Sequence, residues 1–215
     1  MKTKIVSLII ALGLITNAAL AGNSAKLGYA SDYFYRGLQK SQESIQGSLM
    51  LSHSFGNINA SLHACSNQAV DSGNDSYHMG GGFSKSFADL FSAYVGLNHF
   101  EDVPGEALSE VQLTVSSDVV LSPSVSLYRD LSDTLYTVEL SVSHSIETDL
   151  ATLNLGGSYG NTETSSSVDR DYYLLNASAS KDVSENTAFS VGVDYVDAEN
   201  VDEEFVFSSS LTFKF

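Results

Sequence analysis

One cysteine, two prolines and no tryptophan occur in 215 residues. Cys65 is the lone thiol, which excludes an internal disulfide, and it stands far from the position where a lipid-attachment cysteine would follow an export leader. Basic residues are scarce too: ten Lys and Arg face 26 Asp and Glu, a formal net charge of −16. A chain this acidic has no electrostatic attraction for phosphate backbones, so nucleic acid is excluded as a partner. Beyond residue 21 no apolar run approaches the roughly 18 residues that a membrane-spanning helix needs. The five histidines are scattered, with no HExxH or CxxC spacing, so no metal and no cofactor is expected. The triple glycine of "GGGF" (80–83) has no helix after it and therefore makes no phosphate cradle.

The first 21 residues have the form of an export leader. Lys2 and Lys4 are its basic region, Ile5 to Ile15 its apolar run, and Ala19-Leu20-Ala21 its small-x-small cleavage site. Residues 22–215 are the expected folded domain. Past residue 25 their dominant pattern has period two, apolar alternating with small polar, which sends neighbouring side chains to opposite faces of a strand. In "TVELSVSHSI" Val138, Leu140, Val142 and Ile146 share one face, and Thr137, Glu139, Ser141, Ser143 and Ser145 the other. In "FVFSSSLTFKF" Phe205, Phe207, Leu211, Phe213 and Phe215 oppose Val206, Ser208, Ser210, Thr212 and Lys214.

Twelve such segments are expected, near 25–36, 44–55, 57–65, 76–87, 90–99, 108–117, 121–129, 135–146, 151–159, 171–180, 187–196 and 204–215. The segment around Pro123 is the weakest of them. With the amino terminus in the periplasm, the even-numbered strands end in tight turns such as "FGN" (55–57) and "ETD" (147–149). The odd ones end in longer polar connections such as "GLQKSQE" (37–43) and "SNQAVDSGND" (66–75). Alternation alone also fits a secreted β-sandwich. The even count, the near absence of Pro from strands, the turn and loop asymmetry, and the terminal aromatic residue favour a barrel. The expected fold is thus all-β: an antiparallel transmembrane β-barrel of about twelve strands, with short periplasmic turns and longer outside loops.

If the apolar face meets lipid, the other face lines a lumen. Its polar set comprises Lys26, Asp32, Arg36, Gln46, Asn59, His63, Glu110, Gln112, Glu139, Asn154, Asn176, Asp194 and Lys214. The charged members Asp32, Arg36, Glu110, Glu139, Asp194, Lys26 and Lys214 are the candidate pore groups, since charge there sits in water or in pairs rather than against hydrocarbon. Aromatic girdles are expected from Tyr29, Tyr33, Tyr35, Phe83, Phe87, Phe91, Tyr195, Phe213 and Phe215. Outside loops carry an acidic rim of Glu101, Asp102, Glu106, Asp197, Glu199, Asp202, Glu203 and Glu204, which favours cations at the mouth of a pore. Facing lipopolysaccharide phosphates, such a rim needs bridging divalent cations or else is a solvated loop surface.

One enzymatic constellation is present. His144, Ser145 and Glu147 of "HSIE" are a base, a nucleophile and an acid for a lipid hydrolase. Adjacent strand residues point to opposite faces, however, so His144 and Ser145 cannot meet, and no catalytic role is expected.

"SDYFYRG" carries a resemblance. Ser31, Asp32, Tyr33, Arg36 and Gly37 match the Ser-Asp-Tyr-x-x-Arg-Gly strand that opens, after the leader, a family of proteobacterial outer-membrane porins of unassigned role. "ASLHACSN" (60–67) resembles its small-residue third strand and "YHMGGGFSKSF" (77–87) its Gly-rich fourth. This chain departs at Leu38-Gln39, where the family has Ile-Ser, and at His63, where it often has Trp. The resemblance implies an outer-membrane barrel and transport, with no catalytic or binding residues to carry over. The expectations that follow are passive diffusion of small hydrophilic solutes, contact with the lipid bilayer and lipopolysaccharide, and insertion by the barrel assembly machinery, with Phe215 as assembly signal. A non-conducting structural or adhesion barrel is the alternative. Within the motif, period two sends Tyr33 and Tyr35 to lipid and turns Asp32, Phe34 and Arg36 inward, with Glu110, Glu139 or Asp194 as partners for Arg36.

Overall fold

The computed structural model describes residues 22–87, 90–105, 107–132, 135–163, 169–199 and 201–215. The leader expected over 1–21 and the rim residue Glu106 lie outside them. Twelve strands follow in order: β1 Ser24–Tyr35, β2 Leu38–Phe55, β3 Ile58–Gly73, β4 Asp75–Phe87, β5 Phe91–Val103, β6 Ala107–Ser117, β7 Ser124–Asp130, β8 Tyr136–Glu147, β9 Thr152–Thr162, β10 Arg170–Ser184, β11 Thr187–Ala198 and β12 Val201–Lys214. Each pairs antiparallel with its chain neighbours, and β12 returns to β1, closing a barrel. Closure leaves no sheet edge, so the ladder satisfies the backbone groups that hydrocarbon could not.

Alternation decides which face points where. On β8, Val138, Leu140, Val142 and Ile146 are exposed on the outside while Thr137 is buried. On β12, Phe205, Phe207, Leu211 and Phe213 are exposed while Val206 and Ser210 are buried. A sandwich would bury these apolar sets against each other, whereas here they clothe the outer surface. Water does not tolerate an apolar patch of that extent, and a bilayer does. The buried apolar cluster is small, Ala30, Val196 and Val206 with Phe34 and Leu174 against them, and it lies inside the barrel wall.

The polar connections at the end opposite the chain termini, here called the mouth, differ from expectation. Residues 38–43 and 66–73 are strand, not loop, so β2 runs for 18 residues and β3 for 16. Ser- and Gln-rich hairpins keep their backbone groups paired while standing in water, so the asymmetry resides in strand overhang rather than in loop length. β7, next to Pro123, is short at seven residues.

β1 does not stay in the wall. It pairs with β12 from Ser24 opposite Lys214 to Ala30 opposite Ser208, and no further. From there it remains paired only with β2, across an irregularity between Tyr33 and Phe34. The amide of Phe207 donates to Ser31 Oγ at 3.0 Å, where the two strands part. Beyond that point the β1–β2 hairpin bends into the barrel.

Candidate functional site

Arg36 and Gly37 form the two-residue turn of this hairpin, with φ of 49° and 72°. Positive φ at both central residues is the turn whose twist suits a hairpin, and Gly supplies it without steric cost. Gly37 is also required by space, since a Cβ there would lie 2.7 Å from the Cβ atoms of both Ala198 and Tyr172. The tip therefore touches β10 and β11 on one side of the lumen.

On the other side it is clamped. Arg36 Nη1 and Nη2 donate to Glu110 Oε2 and Oε1 on β6, each at 2.7 Å. The two side chains are 12% and 2% exposed, so this bidentate pair is almost dry. Its guanidinium lies 3.9 Å from the ring centroid of Tyr128 and 4.8 Å from that of Tyr35. Asn98 Nδ2 donates to Glu110 Oε1 at 3.2 Å and to Gln112 Oε1 at 3.1 Å, fixing the carboxylate from behind. From Tyr35 a row of rings continues: Phe100 at 4.5 Å, His78 stacked on Phe100 at 4.0 Å, and His63 beyond at 4.6 Å.

This girder divides the interior. A cavity of about 380 Å³ lies toward the mouth, lined by Lys40, Asp102, Asp130, Glu163 and Arg170 among others. A second, of about 360 Å³, lies beneath, lined by Ser48, Met50, His63, Cys65 and Gln112. Arg36, His78, Phe100, Glu110 and Tyr128 line both. On the far side of the hairpin, a space of about 260 Å³ is bounded by Lys26, Asp32, Phe34 and Asp194.

The remaining sequence-derived candidates fall as follows. Asp32 accepts from Gln39 Nε2 at 2.9 Å, and Glu139 accepts from the Tyr172 hydroxyl at 2.6 Å. Lys214 reaches Asp182 at 3.5 Å across an exposed contact near the chain termini. Of the rim acids, Asp102 turns into the mouth and pairs with Lys40 at 2.8 Å. Glu101, Glu199, Asp202 and Glu203 are exposed, and Asp197 and Glu204 partly so. Phe215 is exposed at the carboxyl end.

Two expectations are corrected. Tyr33 and Tyr35 do not join the outer girdle: both line the mouth cavity, because the hairpin leaves the wall and takes both of its faces into the lumen. The longer outside loops are for the most part strand. Of the residues weighed as an enzymatic constellation, Ser145 Oγ donates to Asn154 at 2.8 Å and Glu147 accepts from Thr152 at 2.8 Å. Reading residue by residue missed Tyr128, Phe100 and His78, although each stands at a lumen-parity position of its strand. Their bulk among Ser and Gly was the available signal.

An apolar exterior, a polar interior and full closure define a transmembrane β-barrel of the outer-membrane type. The chain belongs to a bacterial family described as a protein of unknown function (Gcw_chp), which matches residues 17–214. No curated protein sequence matches it. Among solved structures it is similar to the KdgM porin at 14% identity and a TM-score of 0.62, covering 89% of this chain and 99% of that one. It is likewise similar to the NanC porin at 12% and 0.59, covering 90% and 100%. An outer-membrane channel of Pseudomonas putida F1 aligns at 11% and 0.61, covering 92% and 97%. At these identities what is shared is the barrel.

Proposed function

We propose that the protein is an outer-membrane channel for passive diffusion of small hydrophilic solutes, with the β1–β2 hairpin as its constriction. The observation that carries this reading is the pair of cavities in series, of about 380 and 360 Å³, that share Arg36, Glu110, Phe100 and Tyr128. The leader, lipopolysaccharide contact and insertion by the assembly machinery belong to the same proposal. Lumen groups Lys26, Asp32, Asp194 and Glu139 would meet the solute, while Arg36 and Glu110 hold the constriction. Asp197, Glu199, Asp202, Glu203 and Glu204, close together on the β11–β12 hairpin, would favour cations at the mouth. One of the similar structures is the KdgM porin in complex with oligogalacturonate. That polyanion suits this chain poorly, because its rim is acidic and its constriction arginine is committed to Glu110.

A second reading follows from the hairpin reaching both walls, at Glu110 and at Tyr172: a filled, non-conducting barrel with a structural or adhesive role. Planar-bilayer recording of the refolded protein, with an Arg36→Ala variant beside it, separates the two. Discrete steps, larger in the variant, support the channel. Silence at every voltage in both proteins leaves the structural barrel.

A further inference from the structure

His63 and His78 lie 15 residues apart in sequence, and the β3–β4 register brings them together. His63 faces Gly80 directly, and His78 stands two residues away, opposite Cys65. Gly80 has no side chain to separate the rings, so they lean across the gap until their Nε2 atoms are 3.1 Å apart. A Cβ at Gly80 would come within 2.8 Å of His63 Cε1 and would collide with Asn98 Oδ1.

We infer that this imidazole pair is a binding site for a divalent cation of the imidazole-preferring class, Zn²⁺ or Cu²⁺, on the lumen wall beneath the constriction. Two nitrogens bound at 2.0 to 2.1 Å in a tetrahedral site stand about 3.3 to 3.4 Å apart, so the pair needs to open by only about 0.3 Å. The stack on Phe100, 9° from parallel, holds the plane of His78. Asn98 stands beside the pair, 6% exposed, with its side chain within hydrogen-bonding reach of His78 and its Oδ1 without a nearer partner among the described residues. Its Nδ2 is spent on Glu110 and Gln112, which leaves that oxygen beside Gly80, on the side of His78. A buried acceptor there can take the ring N–H of a cation-bound His78, or a water on the cation, as an outer-shell partner.

Among the described residues no three His, Cys, Asp or Glu side chains form a metal centre. The protein thus supplies two ligands, and water from the cavity completes the shell. In the present pair one Nε2 carries the shared hydrogen. On binding, that hydrogen moves to Nδ1 of the same ring, both imidazoles stay neutral, and no proton is released. This site does not depend on conduction.

The test is calorimetric titration of untagged refolded protein in micelles with ZnCl₂ and with CuCl₂, using wild type, His63→Gln, His78→Gln, the double variant and Cys65→Ser. Unboiled gel migration confirms that each is folded. One equivalent should bind to wild type and to Cys65→Ser, and each Gln variant should bind at least tenfold more weakly, the loss that even outer-shell partners produce. Binding to the double variant indistinguishable from wild type would place the cation elsewhere on the chain and overturn the site. Abolition by Cys65→Ser would overturn the two-imidazole set.

Discussion

Arg36→Ala would leave the Glu110 carboxylate, 2% exposed, facing the space its partner filled. Removing one member of a buried ion pair costs about 3 to 5 kcal/mol, because the remaining charge is desolvated and uncompensated. Two features pull this case to the lower end: Asn98 still donates to Oε1 at 3.2 Å, and the vacated volume opens onto cavities that water can enter. The expected loss is about 3 kcal/mol for Arg36→Ala. Glu110→Ala should cost about the same, since it strands a guanidinium between the rings of Tyr35 and Tyr128. The double variant buries neither charge and should lose about 4 rather than about 6 kcal/mol, a coupling of about 2 kcal/mol. Urea unfolding in micelles, followed by tyrosine fluorescence and by unboiled gel migration, measures all four corners of the cycle. Losses that add to within about 0.5 kcal/mol would show that the two side chains do not interact, and the clamp would be refuted.

Gly37→Ala combines a residue forced into the left-handed region with two 2.7 Å contacts. It should cost about 2 kcal/mol and expose the 31–43 hairpin to limited proteolysis; a cleavage pattern like wild type would count against a tip seated in the lumen. Replacing Asp202, Glu203 and Glu204 together by Lys should shift the reversal potential in a salt gradient toward anions, and an unchanged potential would remove the rim from the selectivity argument. Phe215→Ala should lower the amount of inserted barrel in cells while leaving refolding into micelles unaltered. Equal loss in both settings would make Phe215 a packing residue instead of an assembly signal.

The wall of the barrel was legible because it depends on one physical rule. Period two identifies both faces of β8 and β12 before any coordinate is known, and the twelve segments match the twelve strands within a few residues on the terminal side. What escaped depends on events that have no period. The departure of β1 from β12 after Ala30 and the shift at Tyr33 reverse the reading of two tyrosines, and no residue type announces either. Glu110 stood among three possible partners for Arg36. It wins because the hairpin leans across toward β6, whereas Glu139 is occupied by Tyr172 and Asp194 lies on the wall behind it. The histidine pair was hidden for a related reason: a separation of 15 residues becomes a contact only through the β3–β4 register and the empty position at Gly80.

The position of the hairpin follows from terms of similar size. Leaving β12, residues 31–35 forgo several ladder hydrogen bonds, each with a net value of about 1 kcal/mol. Inside, the two charged bonds to Glu110 return about 1.5 to 3 kcal/mol each. The contact of Tyr35 with Phe100 adds about 0.5 to 1.5 kcal/mol, and the guanidinium over Tyr128 adds about 1 kcal/mol. Phe34 meanwhile covers Ala30, Val196 and Val206, which the bend would otherwise leave facing lumen water. The inward position is therefore favoured by only a few kcal/mol, and most of that margin sits in one ion pair. Substitution at Arg36 or Glu110 consequently does more than remove a bond. It brings the wall-paired and lumen-seated hairpins to comparable free energy, so larger conductance and lower stability should rise together in the same variants.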